Sequence, residues 1–285
     1  MSEGLSEREG GFRVRRILVA LDASSHSLAA LGAAADLAAA LEAELDGLFV
    51  EDINLIRLAE LPLAREVRHT ASLEELDPRR MERALAAQAT EARQALATAA
   101  GYAHVPWSFR VVRGDVAQEV LAAASQFDLV SLGKQGRSKH PRARLGSTAL
   151  RLAAGAPGAL LLVEHGVPLW RPVLVLYDGS EGSHQALDAA ARLAPASGGP
   201  FTVLVLADAP DAAAQLEHEA AHRIEARKVH ARFHSLHAAD LHEVLRAVQS
   251  EGCGLVMLSA RSPLFPEATI RELLGRIRNP VLLIR

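Results

Sequence analysis

Cysteine is nearly missing from this chain: Cys253 is the only one in 285 residues, so no internal disulfide can form. It sits between Gly252 and Gly254 ahead of an apolar run, the setting of a core thiol rather than a reactive one. Apolar runs of about 18 residues, long enough to span a bilayer, are also missing, and the opening MSEGLSEREGG is too polar for an export segment. A soluble, cytoplasmic protein is expected. Excess charge of one sign is lacking too: a formal net charge of -3 argues against a nucleic-acid or polyanion binder acting over its whole surface. Two nucleotide signatures are absent, GxxxxGK[ST] and a strand-linked GxGxxG.

What is present is an Ala- and Leu-rich globular composition, 49% apolar and 23% charged, which favours long helices. The length suits two domains of ordinary size better than one. Residues 1–12 read as a disordered leader. Val14 to Leu21 is a β-branched-rich strand closed by Asp22, and Ser24 or Ser25 caps a helix to about Glu42. Glu44 to Val50 is a second strand, and Glu51–Asp52 opens a loop of about 25 residues running through Leu61–Pro62. Asp77 caps a helix with Pro78 at its first position. A strand from Val105, a helix from Val116 and a strand at Leu129 follow, then a helix over Thr148 to Ala154 and a strand over Ala159 to Val163. Alternating strands and helices predict a parallel sheet with right-handed crossovers and helices on both faces. Ligands of such sheets bind outside the carboxyl ends of the strands, where Asp22, Val50–Glu51 and Gly133 all fall.

The pattern then restarts. LVALDASSHSLAALGAAADLA (18–38) and LVLYDGSEGSHQALDAAARLA (174–194) share twelve of 21 positions, including Asp, Ser and Leu matches that low complexity does not explain. The second half repeats the order of elements in shorter form, so the chain is a duplication with a boundary near Gly166–Arg171. Its domains are expected at 13–165 and 171–285.

The most informative stretch runs from Val130 to Val163. An apolar strand ends at Gly133, Gly136 follows, and after nine further residues come Gly146, Ser147 and Thr148. Between Gly133 and Gly155 there are six cations (Lys134, Arg137, Lys139, Arg142, Arg144 and Arg151) and no Asp or Glu. Glycines that let the backbone approach, a helix start with free N–H groups and a basic field suit a phosphate group. The same spacing also describes a solvated basic loop with turn glycines.

These features resemble the universal stress protein family in its tandem two-domain form, over nearly the whole chain. ILVALDASSHS and VLVLYDGSEGSHQAL carry the likeness at the two first-strand ends. The Gly133-x-x-Gly136, nine residues, Gly146–Ser147–Thr148 spacing matches the family's ATP-binding signature without a gap. The resemblance implies two Rossmann-like α/β domains, each a five-stranded parallel sheet with helices on both faces, packed as an intramolecular pseudo-dimer. It implies an adenine nucleotide, ATP or a relative, with Mg²⁺ on its phosphates. The strand-1 end (Ala20, Leu21, Asp22) and Val50 would meet the nucleoside, while Gly133, Gly136, Arg137, Gly146, Ser147 and Thr148 would cradle ribose and phosphates. Read from the residues alone, Asp22 is also a helix cap and Val50 an ordinary core residue.

The second half departs from this pattern. It keeps Asp178, Gly179 and Ser180, but neither signature glycine appears in SARSPLFPEATIRELL, where Pro263 and Pro266 stiffen the loop and Glu267 and Glu272 offset its arginines. The expectation is one nucleotide per chain in the first half, with the second half pairing to it through ALLLV and VLLIR.

His218-Glu219-Ala220-Ala221-His222 spells HExxH. It lies on an amphipathic helix with no third ligand behind it, so His218 and His222 are weak metal candidates. A regulatory protein that presents a nucleotide-dependent surface to an unknown protein partner, with weak ATPase activity at most, is the leading expectation. An interaction module without nucleotide, and a slow ATP hydrolase or metal-dependent hydrolase, are the alternatives. Further association into a homodimer is left open by the sequence.

Overall fold

The computed structural model describes residues 12–61, 65–67, 73–75, 77–136, 145–167, 169, 172–197, 200–225, 227, 229–237 and 241–285. The expected leader lies outside these, apart from Phe12, whose carbonyl accepts a hydrogen bond from Arg192 Nη1 at 3.1 Å.

In the first half the chain runs through β1 (Arg16–Leu21), α1 (Ser25–Leu41), β2 (Glu44–Asp52), α2 (Ile53–Ala59), β3 (Arg65–Val67), β4 (Leu73–Glu75), α3 (Pro78–Ala103), β5 (Trp107–Gly114), α4 (Val116–Ala124), β6 (Leu129–Gly133), α5 (Ser147–Gly155) and β7 (Ala159–Val163). The second half supplies β8 (Leu174–Tyr177), α6 (Glu181–Ser197), β9 (Phe201–Ala207), α7 (Pro210–Glu225), β10 (Ala231–His237), α8 (Leu241–Ser250), β11 (Val256–Ser259), α9 (Glu267–Arg276) and β12 (Val281–Ile284). The long loop expected after Glu51 is a correction. Asp52 accepts a bond from the Asn54 amide and starts α2, and β3 pairs antiparallel with β4. Neither was visible as periodicity because both elements are so short.

All strands but β3 and β4 join one ten-stranded sheet in the order β10-β9-β8-β11-β12-β7-β6-β1-β2-β5. Each half contributes five parallel strands, and the halves meet where β12 pairs antiparallel with β7. The register there is Val281 with Leu162, Leu282 with Leu161, and Leu283 with Leu160. The pseudo-dyad therefore passes through the Leu161–Leu282 pair. Every residue of β7 and β12 is buried, as expected of strands covered on both faces. The sheet's outer edges, β5 and β10, are instead largely exposed and carry Arg110, Arg113 and Arg232, which discourages further strand pairing.

Two apolar layers sandwich the sheet, and each is continuous across both halves. One packs α1, α3, α6 and α7 around Leu37, Leu96, Leu161 and Tyr177. The other packs α4, α5, α8 and α9 around Leu48, Val130, Leu152, Leu160 and Leu273. Cys253 is in the second layer, 4% exposed, and burial pushes its thiol up from its ordinary value to about 11, as a core residue should be.

The duplication extends to turn geometry. After β1, Ser24 Nα donates to Asp22 Oδ1 at 2.9 Å and the Ser27 amide donates to Ser24 Oγ at 3.1 Å. After β8, the Ser180 amide donates to Asp178 Oδ1 at 3.0 Å and the Ser183 amide to Ser180 Oγ at 3.3 Å. The intervening residue is left-handed in both copies, Ala23 at φ 56 and Gly179 at φ 75. Only the second copy has the residue that takes this φ without strain. Ala23→Gly is expected to stabilise the protein by about 1 kcal/mol. Gly179→Ala should cost more than that, because its Cβ would also stand 2.6 Å from Leu216 Cδ2. Urea unfolding of the two variants checks both signs.

Candidate functional site

The first half's strands β1, β2 and β6 point their carboxyl ends to one edge of the sheet, and the expected site residues gather there. Asp22 closes β1. Ser24, not Asp22, is the N-cap of α1, so capping does not consume the carboxylate: Oδ1 turns back to the Ser24 amide, and Oδ2 faces Gly136. A Cβ built on Gly136 would stand 3.2 Å from that Oδ2. A Cβ on Gly146 would in turn stand 3.6 Å from the Gly136 amide nitrogen. Asp22, Gly136 and the start of α5 thus converge across a stretch of sequence of more than a hundred residues.

Gly146 is the N-cap of α5 and supplies no side-chain cap, and the first turn holds no acidic residue. Its own amide donates to Lys134 O at 2.7 Å. The next amides, at exposed Ser147 and half-buried Thr148, have no intrahelical acceptors and carry the positive end of the helix dipole. Ala20 and Val50 lie on the same face of the sheet as α4 and α5, Val50 at 8% exposure beneath the mouth. Leu21 has the opposite parity: its side chain packs into the other layer, leaving only its backbone toward this edge. Arg137 lies outside the described residues, as do Lys139, Arg142 and Arg144.

Gly133 has a packing role: its Cβ would stand 2.7 Å from His26 Cβ and 2.8 Å from the His26 carbonyl carbon. It lets the first turn of α1 pack against the end of β6. The second copy solves the same contact in reverse, with Ser259 on the strand and Gly182 on the helix, where a Cβ would stand 2.2 Å from Ser259 Oγ. The alignment of the two halves contained this exchange, His26 with Gly182 and Gly133 with Ser259, as its readable signal.

One expectation about this loop needs correction: Lys134 is among the six cations of the expected basic field, but its side chain alternates to the α5 face and is 2% exposed. Its Nζ donates to the carbonyls of Ile277 and, at 3.1 Å, Asn279, both in the second half. Arg151 is likewise committed, to Asp115 at 3.1 Å. Lys134 Nζ is thus bonded within the protein and Arg151 is paired with a carboxylate, so neither is a free cation of the expected basic field.

In the second half the matching place is closed. Ser262 stands where the first half has Gly136, and its Oγ donates to Asp178 Oδ2 at 2.5 Å. Asp178 Oδ1 already accepts from the Ser180 amide and hydroxyl. The helix there, α9, starts at Pro266 with Glu267 in its first turn, a carboxylate opposed to any anion at that end.

The HExxH pattern falls apart in three dimensions. Glu219 is engaged by the protein, accepting from the Tyr177 hydroxyl at 3.0 Å and meeting His184 Nε2 at 2.5 Å, and His218 and His222 are exposed. Among the described residues no three His, Cys, Asp or Glu side chains are grouped to hold a metal ion. No helix among them is long and apolar enough to cross a membrane. A cavity of about 410 Å³ lies at the opposite edge of the first half, lined by Phe12, Arg13, Asp128, Gln185 and Arg285, and does not touch the candidate site.

Burial brings the Lys134 ammonium down from its ordinary 10.5 to about 8, with the Glu164 carboxylate partly offsetting it. The folded protein thus releases this proton before the unfolded chain does. Between pH 8 and 10.5 the unfolded state binds more protons, so stability from this group rises with pH; it is fully present above 10.5 and lost as pH falls through 8. Relative to Lys134→Met, the wild type should gain on the order of 3 kcal/mol across that window and nothing below it. Chemical denaturation at a series of pH values measures the difference curve.

Comparison with known proteins follows the duplication. The sequence model of the universal stress protein family matches residues 13–164 and again 169–285. No curated protein sequence matches this chain. Among solved structures, a universal stress protein from Archaeoglobus fulgidus DSM 4304 superposes with a TM-score of 0.72 at 18% identity, covering 96% of this chain and 97% of its own. A functionally unknown protein, PA1789 from Pseudomonas aeruginosa PAO1, does so with a TM-score of 0.58 at 17% identity, over 95% and 92%. A universal stress protein in complex with cAMP matches 54% of this chain and 99% of its own at 22% identity, with a TM-score of 0.39.

Proposed function

The chain belongs to the universal stress protein family, and from that premise we propose that it is a regulatory protein binding one adenine nucleotide, in its first half only. The two domains of this reading are residues 13–165 and 171–285, and its place is the cytoplasm. The observation that carries it is the contrast between two copies of one site. In the first, Gly136 leaves Asp22 Oδ2 facing an uncapped helix start; in the second, the Ser262 hydroxyl occupies the equivalent carboxylate oxygen.

The residues present suit such a ligand. Asp22 offers an acceptor for sugar hydroxyls, Val50 an apolar floor for a base, and Gly146, Ser147 and Thr148 a helix start for phosphate oxygens. Mg²⁺ would neutralise phosphate charge; among the described residues no group of carboxylates stands ready to hold it alone, so it would arrive with ATP. On this reading occupancy is the signal and hydrolysis, if it occurs, is slow. A nucleotide that binds the ordered arrangement of the loop and α5 stabilises it, and a partner protein reads the surface that results.

Calorimetric titration of ATP with Mg²⁺ into nucleotide-free protein is expected to give one site per chain. Gly136→Ser should copy the closure of the second half and lower affinity at least tenfold with little loss of stability. Ser262→Gly should leave the affinity unchanged. Equal loss from both variants contradicts the one-site reading, and no binding by the wild type leaves the protein an interaction module.

A further inference from the structure

The second half's counterpart of the candidate site is closed by Ser262, yet this half grips both ends of the first half's site helix. At the start, the Lys134 carbonyl accepts the Gly146 amide at 2.7 Å while the Lys134 amide donates to Val163 O at 2.8 Å. The same residue's Nζ reaches the carbonyls of Ile277 and Asn279, just past the end of α9. At the far end, Arg285 Nη2 donates to the α5 carbonyls of Leu152 and Ala153. Each half thus places a cation on the negative end of the other's helix.

We propose that Lys134 is a positioning residue through which the second half holds the Gly133–Gly136 turn and the start of α5 in a ligand-ready arrangement. Its two neighbours along the chain, Gly133 and Gln135, flank the turn, so a fixed Nζ fixes the backbone from which Gly136 faces Asp22. The carbonyls that hold it are themselves pinned: Asn279 Nδ2 donates to Cys253 O at 2.6 Å, tying the segment after α9 to the segment before β11. Protonated or neutral, the amine has at least two N–H donors for its two carbonyls, so the tether persists across its titration. Burying an amine in the junction costs desolvation that an apolar side chain would not, and the tether is what that cost secures.

The affinity arm of the test rests on the nucleotide reading above; the loop arm does not. Two variants separate them: Lys134→Met, which keeps the apolar stem and removes the donors, and Asn279→Ala, which loosens the acceptors from the second half without touching the first. Hydrogen exchange of the nucleotide-free full chain is read at the Gly146 amide, and ATP affinity is read by titration. Both variants are expected to exchange Gly146 at least tenfold faster and to bind ATP five- to tenfold more weakly, with cooperative unfolding retained. A wild-type exchange rate at Gly146 in Lys134→Met overturns the proposal. If that variant does not fold, a wild-type rate in Asn279→Ala overturns it instead. Faster exchange in a protein whose wild type binds no ATP supports the tether and removes the nucleotide reading alone.

Discussion

The pairing of β7 with β12 is the constraint on which the rest depends. ALLLV and VLLI are apolar at every position, and both are buried on both faces. Left as the edge of a five-stranded sheet, either would show water a row of unpaired amides and carbonyls beside leucine side chains, a template for aggregation. Joining them antiparallel removes both edges at once and makes one sheet of ten strands. The same join sets α5 beside α9 on one face and α1 beside α6 on the other, so each apolar layer runs unbroken through both halves. Each half therefore covers the apolar edge strand of the other, a role the second half keeps whether or not its loop can take a ligand.

Within that frame the two copies diverged by exchanges that conserve contact. Where a helix start meets a strand end, one copy puts the bulk on the helix, His26 against Gly133, and the other on the strand, Ser259 against Gly182. One side chain fits there and two do not. The contact between Asp22 and position 136 follows another logic. A glycine there leaves an acceptor without a protein donor crowding it, whereas the serine of the second copy satisfies its carboxylate internally. A buried or half-buried carboxylate needs partners; the second copy found them in its own loop, and the first copy leaves room for them to come from a ligand.

Most of the fold was legible because it rests on local pattern and repetition. The strand–helix alternation, the caps at Ser24 and Asp77, and the last strands follow from periodicity and capping chemistry that a chain cannot hide. The clustering of Asp22, Gly136 and Gly146 followed from strand ends sharing an edge. What escaped was direction. A lysine between two glycines in a basic loop has the same letters whether it faces an anion or a neighbouring domain, and only the strand's parity and the junction decided for the domain. Short elements escaped as well, since three-residue β3 and β4 and seven-residue α2 offer too few positions for a period to show.

The direction of Lys134 also changes what a glycine-rich loop means here. Such a loop is permissive by composition: glycines allow its backbone many conformations, and the conformational entropy of choosing one opposes binding. A loop that must wait for its ligand to choose binds more weakly than one already held. The tether to Ile277 and Asn279 constrains the turn through carbonyls of the other half of the chain. Duplication made that partner available in the same chain at a fixed distance, independent of concentration. The carbonyls after α9 that hold the tether belong to the half in which Ser262 bonds Asp178, so the contact across the junction and the divergence of the two loops meet in the same segment.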